Sequence, residues 1–351
     1  MAHFIGCDAH LNYSVFCVLN ERAEVVEERR VDHEPGAVQA YLSRFATGTP
    51  VAVETIGSWY WLVDEVEAAG CEPHLAHAIE AKKRMGRTHK TDRLDAHGLA
   101  VLLRNGTLPE SWIADQTGRD LRELPRGRMA LSHQRVEVKN RILATLSKYS
   151  LRLNGVTDAF GVRGRRQMAK LAEALPLEHR WSLERQLAVL DVVQQQIAAS
   201  EERVLAMARD SDELSLLRTA PGIGPVLAVA ILAEIGNIRR FGSAAQFASY
   251  CGLVPTMHAS GGKVRMGQLP AQCNRYLKWA FVEAANVIQV NHRRETWRNK
   301  DLVRFYLRIR GRRGTKSAIC AVARRLAEAI WWMLTKGEGY REPILVTQRP
   351  T

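Results

Sequence analysis

The sequence has no uninterrupted apolar run near the ~18 residues that a membrane-spanning helix needs, so a helical membrane protein is excluded. Paired cysteines are missing as well. Cys7, Cys17, Cys71, Cys251, Cys273 and Cys320 are scattered and none forms a Cys-x-x-Cys pair. Neither a zinc ribbon nor a disulfide framework is therefore expected, and a reducing, cytoplasmic setting fits such a chain. Residues 1–8 carry no basic segment leading into an apolar one, so no signal peptide is read. What remains is ordinary: 351 residues, 46% hydrophobic and 25% charged, the composition of a globular protein rather than a fibrous or disordered one. The length suffices for two or three domains with real cores.

The formal net charge of +13 is unevenly spread. Residues 1–115 hold 11 basic and 17 acidic side chains, and residues 116–170 hold 13 and 4. Residues 171–210 hold 4 and 7, and residues 211–351 hold 22 and 9. Two separate basic blocks point to a polyanionic partner, nucleic acid. Within 119–170 and 293–316, Arg135, Lys139, Arg141, Arg308, Arg312 and Arg313 are the expected backbone contacts.

Apolar patterning divides the chain in the same way. Strands are expected at 3–8, 13–19, 24–31, 51–54 and 72–76, and helices at 36–46, 59–69 and 91–104. Strands first and then strands alternating with helices indicate an α/β sheet layered by helices. Residues 117–150 read as a basic helix broken or kinked near its start by Pro125 and Gly127. Residues 181–208 space Leu183, Leu187, Leu190, Val193, Ile197, Val204 and Leu205 by three, four and seven. That pattern suits a coiled coil between chains or one helix of an intramolecular bundle. Pro221-Gly222-Ile223-Gly224 before a helix resembles a helix–hairpin–helix turn, in which Gly222 and Gly224 open backbone N–H groups to phosphate. Ser317–Leu334 is a helix with Ile319, Val322, Leu326, Ile330 and Leu334 on one face. Three regions result: an α/β domain at 1–115, long helices at 116–210, and a mainly helical domain at 211–351.

Four carboxylates in the α/β region stand at element ends. Asp8 closes the first strand, Glu54 closes a later one, and Asp92 and Asp95 share one face of a helix start. If the two strands are neighbours, the four converge, and their mutual repulsion needs cations. Hard oxygen ligands of this kind suit Mg2+, and a pair of such ions can clamp the attacking and leaving oxygens of a phosphodiester. Lys90 and Arg93 flank the cluster and are expected to meet the same phosphate.

Ile5-Gly6-Cys7-Asp8, Val53-Glu54-Thr55-Ile56-Gly57 and Lys90-Thr91-Asp92-Arg93-Leu94-Asp95-Ala96 resemble the three acidic motifs of the DEDD transposases of the IS-one-ten insertion-sequence family. The likeness continues through Pro221-Gly222-Ile223-Gly224 and Phe247-Ala248-Ser249-Tyr250-Cys251-Gly252-Leu253-Val254-Pro255 to Ala259-Ser260-Gly261-Gly262. The resemblance implies a RuvC-like N-terminal domain of RNase H-type fold, with Asp8, Glu54, Asp92 and Asp95 catalytic and metal-binding. It implies a DNA recombinase guided by a structured bridge RNA that pairs with donor and target DNA. It also implies dimers that pair into tetramers, with active sites shared between subunits. Ser260 matches the family's nucleophile, and Lys263 and Arg265 lie beside it. Two other readings stand beside this one. A metal-dependent nuclease would hydrolyse DNA with water and leave Ser260 a turn residue. A non-catalytic scaffold would use the carboxylates for a structural ion.

Overall fold

The structure is a computed structural model that describes residues 2–55, 57, 59–86, 91–207, 211–260 and 263–342. Lys90, Gly261 and Gly262 lie outside the described residues. The chain forms two compact units, Met1–Ala114 and Asp115–Thr351.

The first unit is built on a five-stranded sheet. Its strands are β1 (Phe4–Ala9), β2 (Tyr13–Leu19), β3 (Val25–Asp32), β4 (Pro50–Glu54) and β5 (Glu72–Ala76), in the order β3-β2-β1-β4-β5. β1, β2 and β3 pair antiparallel, whereas β1–β4 and β4–β5 are parallel. All five expected strands are present. β3 is a charged, largely exposed edge strand, a composition that discourages pairing with another chain.

The strand period of two sorts side chains onto two faces. Ile5 and Cys7 of β1, Phe16 and Val18 of β2, and Val51 and Val53 of β4 pack on one side. There they meet Val38, Tyr41 and Leu42 of α1 (Ala37–Leu42) and Leu62 and Val66 of α2 (Trp59–Ala68). The intervening residues face α4 (Asp92–Arg104): Val15, Cys17 and Leu19 meet Ala96 and Ala100, and Ala52 meets Leu99, Leu102 and Leu103. α3 (Ala78–Met85), which the apolar spacing did not reveal, supplies Ala81 on that side. Gly6 lets α4 lie directly on β1. A Cβ at Gly6 would fall 2.0 Å from the Ala96 carbonyl oxygen and 2.6 Å from the Ala100 nitrogen.

The second unit is helical apart from one hairpin. Its first long helix, α5 (Gln116–Ser147), runs without a break through Pro125 and Gly127, contrary to the expected interruption. Two flanking side chains, Arg122 and Arg126, reach one acceptor residue and fasten this part of the helix. α6 (Val162–Ala172) and α7 (Leu177–Met207) follow. The apolar stripe of α7 is used inside the chain: Leu183, Leu187 and Leu190 join Ile142 and Leu146 of α5 and Met168 of α6 in one core.

α8 (Asp212–Leu217), α9 (Pro225–Ile235), the 3-10 turn Ile238–Arg240 and α10 (Ala244–Tyr250) lead to the hairpin β6 (Met257–Ser260) and β7 (Lys263–Met266). α11 (Arg275–Asn291), α12 (Glu295–Arg298) and α13 (Asp301–Lys336) complete the unit. Phe247, Phe281, Val303, Tyr306, Val322, Leu326 and Ile330 belong to its core. α13 is two helical stretches joined at Gly314, whose φ of 80° and ψ of 171° are not helical. Gly222 has φ 85°, and a Cβ there would meet the Ala284 carbonyl at 2.4 Å. Its lack of a side chain thus serves the packing of the turn on α11, while Gly224, the N-cap of α9, has open space around it.

Candidate active site

The sheet brings the first two carboxylates together. β1 and β4 are parallel neighbours with Cys7 opposite Val53, so Asp8 and Glu54 follow in adjacent positions at the same end of the sheet. Both lie on the α4 face by the alternation that puts Cys7 and Val53 on the other. α4 begins beside them. Thr91 caps it through its hydroxyl, which accepts from the Leu94 amide at 3.3 Å, and Asp92 and Asp95 occupy its first turn. Acidic residues there gain from the helix dipole, but both also face the strand ends.

Asp8 is the centre of the cluster and is 5% exposed. Burial pushes its carboxyl up to about 6; His10 opposes the rise, and Glu54, Asp95 and Asp92 add to it. All three other carboxylates are therefore close enough to be felt at Asp8. Glu54 and Asp95 line a small cavity with Ala78, Ala81, Lys82, Met85 and Leu99. Two like charges about 4 Å apart repel by about 4 kcal/mol at an effective dielectric constant of 20. The four carboxylates beside His10 thus carry an excess of negative charge.

Two residues absent from the sequence argument complete the arrangement. His10 Nε2 lies 3.2 Å from Asp8 Oδ2 and 3.2 Å from Asp92 Oδ2. The contact to Asp8 lacks hydrogen-bond geometry, and among the described residues Asp8 Oδ2 and His10 Nε2 are both buried without a hydrogen-bond partner. The hydroxyl of Tyr13 donates to Asp92 Oδ2 at 3.0 Å, and Asp92 in turn raises the Tyr13 pKa. No sequence signal marked His10, which stands just beyond the end of β1. One ligand atom each from Asp8, His10 and Asp92 lies within 4.8 Å of the others, an arrangement able to hold a metal ion. A buried, unpartnered carboxylate oxygen among further carboxylates is the donor set that a divalent cation requires.

The other expected contacts distribute as follows. Arg93 is exposed and approaches Glu28 of β3 at 3.6 Å, beside a cleft formed by Tyr13, Arg30 and Asp92. On α5, Arg141 is exposed, Arg135 is half-buried, and Lys139 sits 4.8 Å from the Phe160 ring. Arg308, Arg312 and Arg313 are exposed around the Gly314 break, and Arg265 is exposed on β7. Ser260 ends β6 opposite Lys263.

A buried carboxylate in the second unit gave no sequence signal. Glu234 of α9 is 1% exposed. Arg126 donates to its two oxygens at 2.6 and 3.0 Å, and Asn274 Nδ2 donates at 2.8 Å. Asn274 also caps α11, accepting from the amides of Tyr276 and Leu277.

Two family models match the chain in order. One, described as DEDD transposase of IS110 type, matches residues 5–151, and the other, transposase IS116/IS110/IS902 family, matches residues 214–301. The chain belongs to the IS110-family transposases. Enzymes of this family cleave and transfer DNA. The chain is 24% identical to the transposase for insertion sequence element IS1111A of Coxiella burnetii, over 96% of its own length and 91% of that protein's. It is 23% identical to the transposase for IS1328 of Yersinia enterocolitica, over 84% and 87%. An insertion element IS110 protein of Streptomyces coelicolor is 30% identical over 43% of this chain and 36% of its own. The DEDD model spans Asp8, Glu54, Asp92 and Asp95, and the mixed sheet carrying them is consistent with a DEDD nuclease-like domain. Among the described residues, no helix is long and apolar enough to cross a membrane.

Proposed function

We propose that this chain cleaves and rejoins DNA as the transposase of an insertion sequence. In this reading Asp8, Glu54, Asp92 and Asp95 of one subunit would hold Mg2+, and Ser260 of another subunit is the nucleophile. A structured bridge RNA selects donor and target DNA, and the protein works as dimers that pair into tetramers in the bacterial cytoplasm. The observation that carries the reading is Asp8, a buried carboxylate with an unpartnered oxygen whose charge is opposed by three more carboxylates.

Asp8, Glu54, Asp92 and Asp95 would hold the cation, which supplies charge neutralisation at the scissile phosphate and at the leaving oxygen. Tyr13 fixes Asp92 through its hydroxyl. Ser260 Oγ attacks the phosphorus. The new Oγ–P bond replaces the P–O bond to the leaving nucleotide; the serine proton passes to solvent, and the leaving oxygen takes a proton from solvent and departs as a hydroxyl. Attack by another strand's hydroxyl on the phosphoserine reverses these bond changes and frees the serine. The phosphodiester is conserved throughout, so rejoining needs no ATP. A water nucleophile would leave no adduct and could not rejoin.

The exposed Arg141, Arg265, Arg308, Arg312 and Arg313 supply nucleic-acid backbone contacts in this reading, together with Lys90, Arg93, Arg135, Lys139, Lys263 and the Gly222–Gly224 turn. Neutralising Arg308, Arg312 and Arg313 flattens the salt dependence of binding, by about 0.9 in log–log slope for each duplex phosphate that the protein no longer neutralises. The direct test is Ser260→Ala with Mg2+, bridge RNA and both DNA partners. Loss of a denaturation-resistant protein–DNA adduct, with RNA and DNA binding intact, is expected. Full recombination by the alanine variant would overturn the serine step.

A further inference from the structure

Of the residues at the carboxylate cluster, His10 is the one that neither the acidic motifs nor the proposed chemistry employs. It is held in place rather than dangling. Its amide donates to the Tyr13 carbonyl at 2.9 Å, and its ring lies 4.6 Å from the Tyr13 ring. The turn that carries it is clamped from β3. The His33 amide donates to the Asn12 carbonyl at 2.8 Å, and His33 Nδ1 donates to the Leu11 carbonyl at 3.2 Å. The other nitrogen of His33 is then left to accept from the buried Ser14 hydroxyl at 2.8 Å. The loop between β1 and β2 therefore presents the His10 ring in one orientation.

In that orientation the two distances from His10 suit neighbouring positions of a coordination polyhedron. Donors placed cis in an octahedron at about 2.1 Å from the metal lie about 3.0 Å apart. His10 Nε2 is 3.2 Å from one oxygen of Asp8 and 3.2 Å from one oxygen of Asp92. An ion pair alone would bring a histidine N–H into line with one carboxylate oxygen. Here the contact to Asp8 has no hydrogen-bond geometry, and both of its atoms are buried and unpartnered. We propose that His10 Nε2 is a direct metal ligand, forming with Asp8 and Asp92 a mixed nitrogen–oxygen position that prefers Mn2+ to Mg2+. The preference follows from ligand chemistry: imidazole suits transition-metal ions, whereas Mg2+ is held mainly by oxygen donors. Glu54 and Asp95, which line a separate small cavity, contribute oxygen donors only and suit Mg2+. The inference rests on the metal-site reading above and adds a residue and an ion preference to it.

The experiment uses the full-length protein and Mn2+ as the probe, with no DNA and no activity measurement. Pulsed electron paramagnetic resonance of bound Mn2+ detects the nuclear modulation of a coordinated imidazole nitrogen. Wild type is expected to show it, and His10→Gln to lose it while still binding Mn2+. Competition titrations should show the ratio of Mn2+ to Mg2+ affinity falling at least about tenfold in His10→Gln, the lower end for groups that tune a metal site. Mn2+ bound to wild type without nitrogen modulation would overturn the inference, as would modulation that survives in His10→Gln. Asp8→Asn separates this from the underlying reading. Undiminished Mn2+ binding by Asp8→Asn would overturn the metal site itself. Loss of binding in Asp8→Asn, with no nitrogen signal in wild type, would overturn His10 alone.

Discussion

Two buried carboxylates, Asp8 in the first unit and Glu234 in the second, are treated in opposite ways. Glu234 is saturated: two nitrogens of Arg126 and the amide of Asn274 occupy its oxygens, and Arg122 lies 3.8 Å away. It joins α5 to α9 and the start of α11, and its charge is cancelled within the protein. Asp8 is left with an unpartnered oxygen among three further carboxylates, with His10 beside it. A buried charge that is fully paired secures a fold, whereas one left wanting a cation is poised for chemistry. Substitutions at the two positions should therefore fail differently.

The largest effect falls on the saturated pair. Glu234→Ala removes the buried carboxylate that Arg126 and Asn274 contact and should cost about 3–5 kcal/mol of stability, read by chemical denaturation. Unchanged stability would mean that the network is incidental. Next comes Glu54→Gln, which keeps size and polarity but removes a donor from the other cluster. DNA cleavage should fall at least about 100-fold, or about 2.7 kcal/mol, while the melting temperature barely moves. Activity within a few-fold of wild type would remove Glu54 from the site.

Gly6→Ala tests how α4 is seated. The added Cβ meets backbone atoms of Ala96 and Ala100, which cannot turn aside. The cost should be about 1–3 kcal/mol, with weakened metal binding because Asp92 and Asp95 move with the helix. The smallest effect concerns pH in metal-free protein. The Asp8 carboxyl binds its proton more tightly folded, at about 6, than at its ordinary 3.8. The stability this confers is complete below about pH 4 and is lost as pH rises through about 6. Asp8→Asn should lack that loss and melt higher than metal-free wild type at pH 7. Equal melting temperatures there would mean that the repulsion is relieved some other way.

Much of the first unit was legible in the sequence because its strands are short, apolar and punctuated. Residues 13–19 and 51–54 alternate or run apolar in ways that only a sheet satisfies, and their ends carry the acids. α3 was missed because Ala78-Ile79-Glu80-Ala81-Lys82-Lys83-Arg84-Met85 has too few apolar residues to show a period. His10 escaped because a histidine in a turn has no distinguishing neighbours until β2 and α4 fold over it. In the second unit, local signals misled at Pro125. A proline ends helices by default, but α5 continues through it, with Arg122 and Arg126 on either side paired to residue 234, more than 100 positions away. Long-range partners decided each of these cases, and no local window contains them.

The divalent-metal site proposed around Asp8 has a direct test. Fe2+ substituted into the full-length protein, with ascorbate and peroxide, cuts the polypeptide wherever the ion sits. The account predicts cuts clustered around residues 8–10, 54 and 92–95, suppressed by excess Mg2+ or Mn2+ and absent in Asp8→Asn. Cuts confined to other segments, or the same pattern in Asp8→Asn, would contradict it.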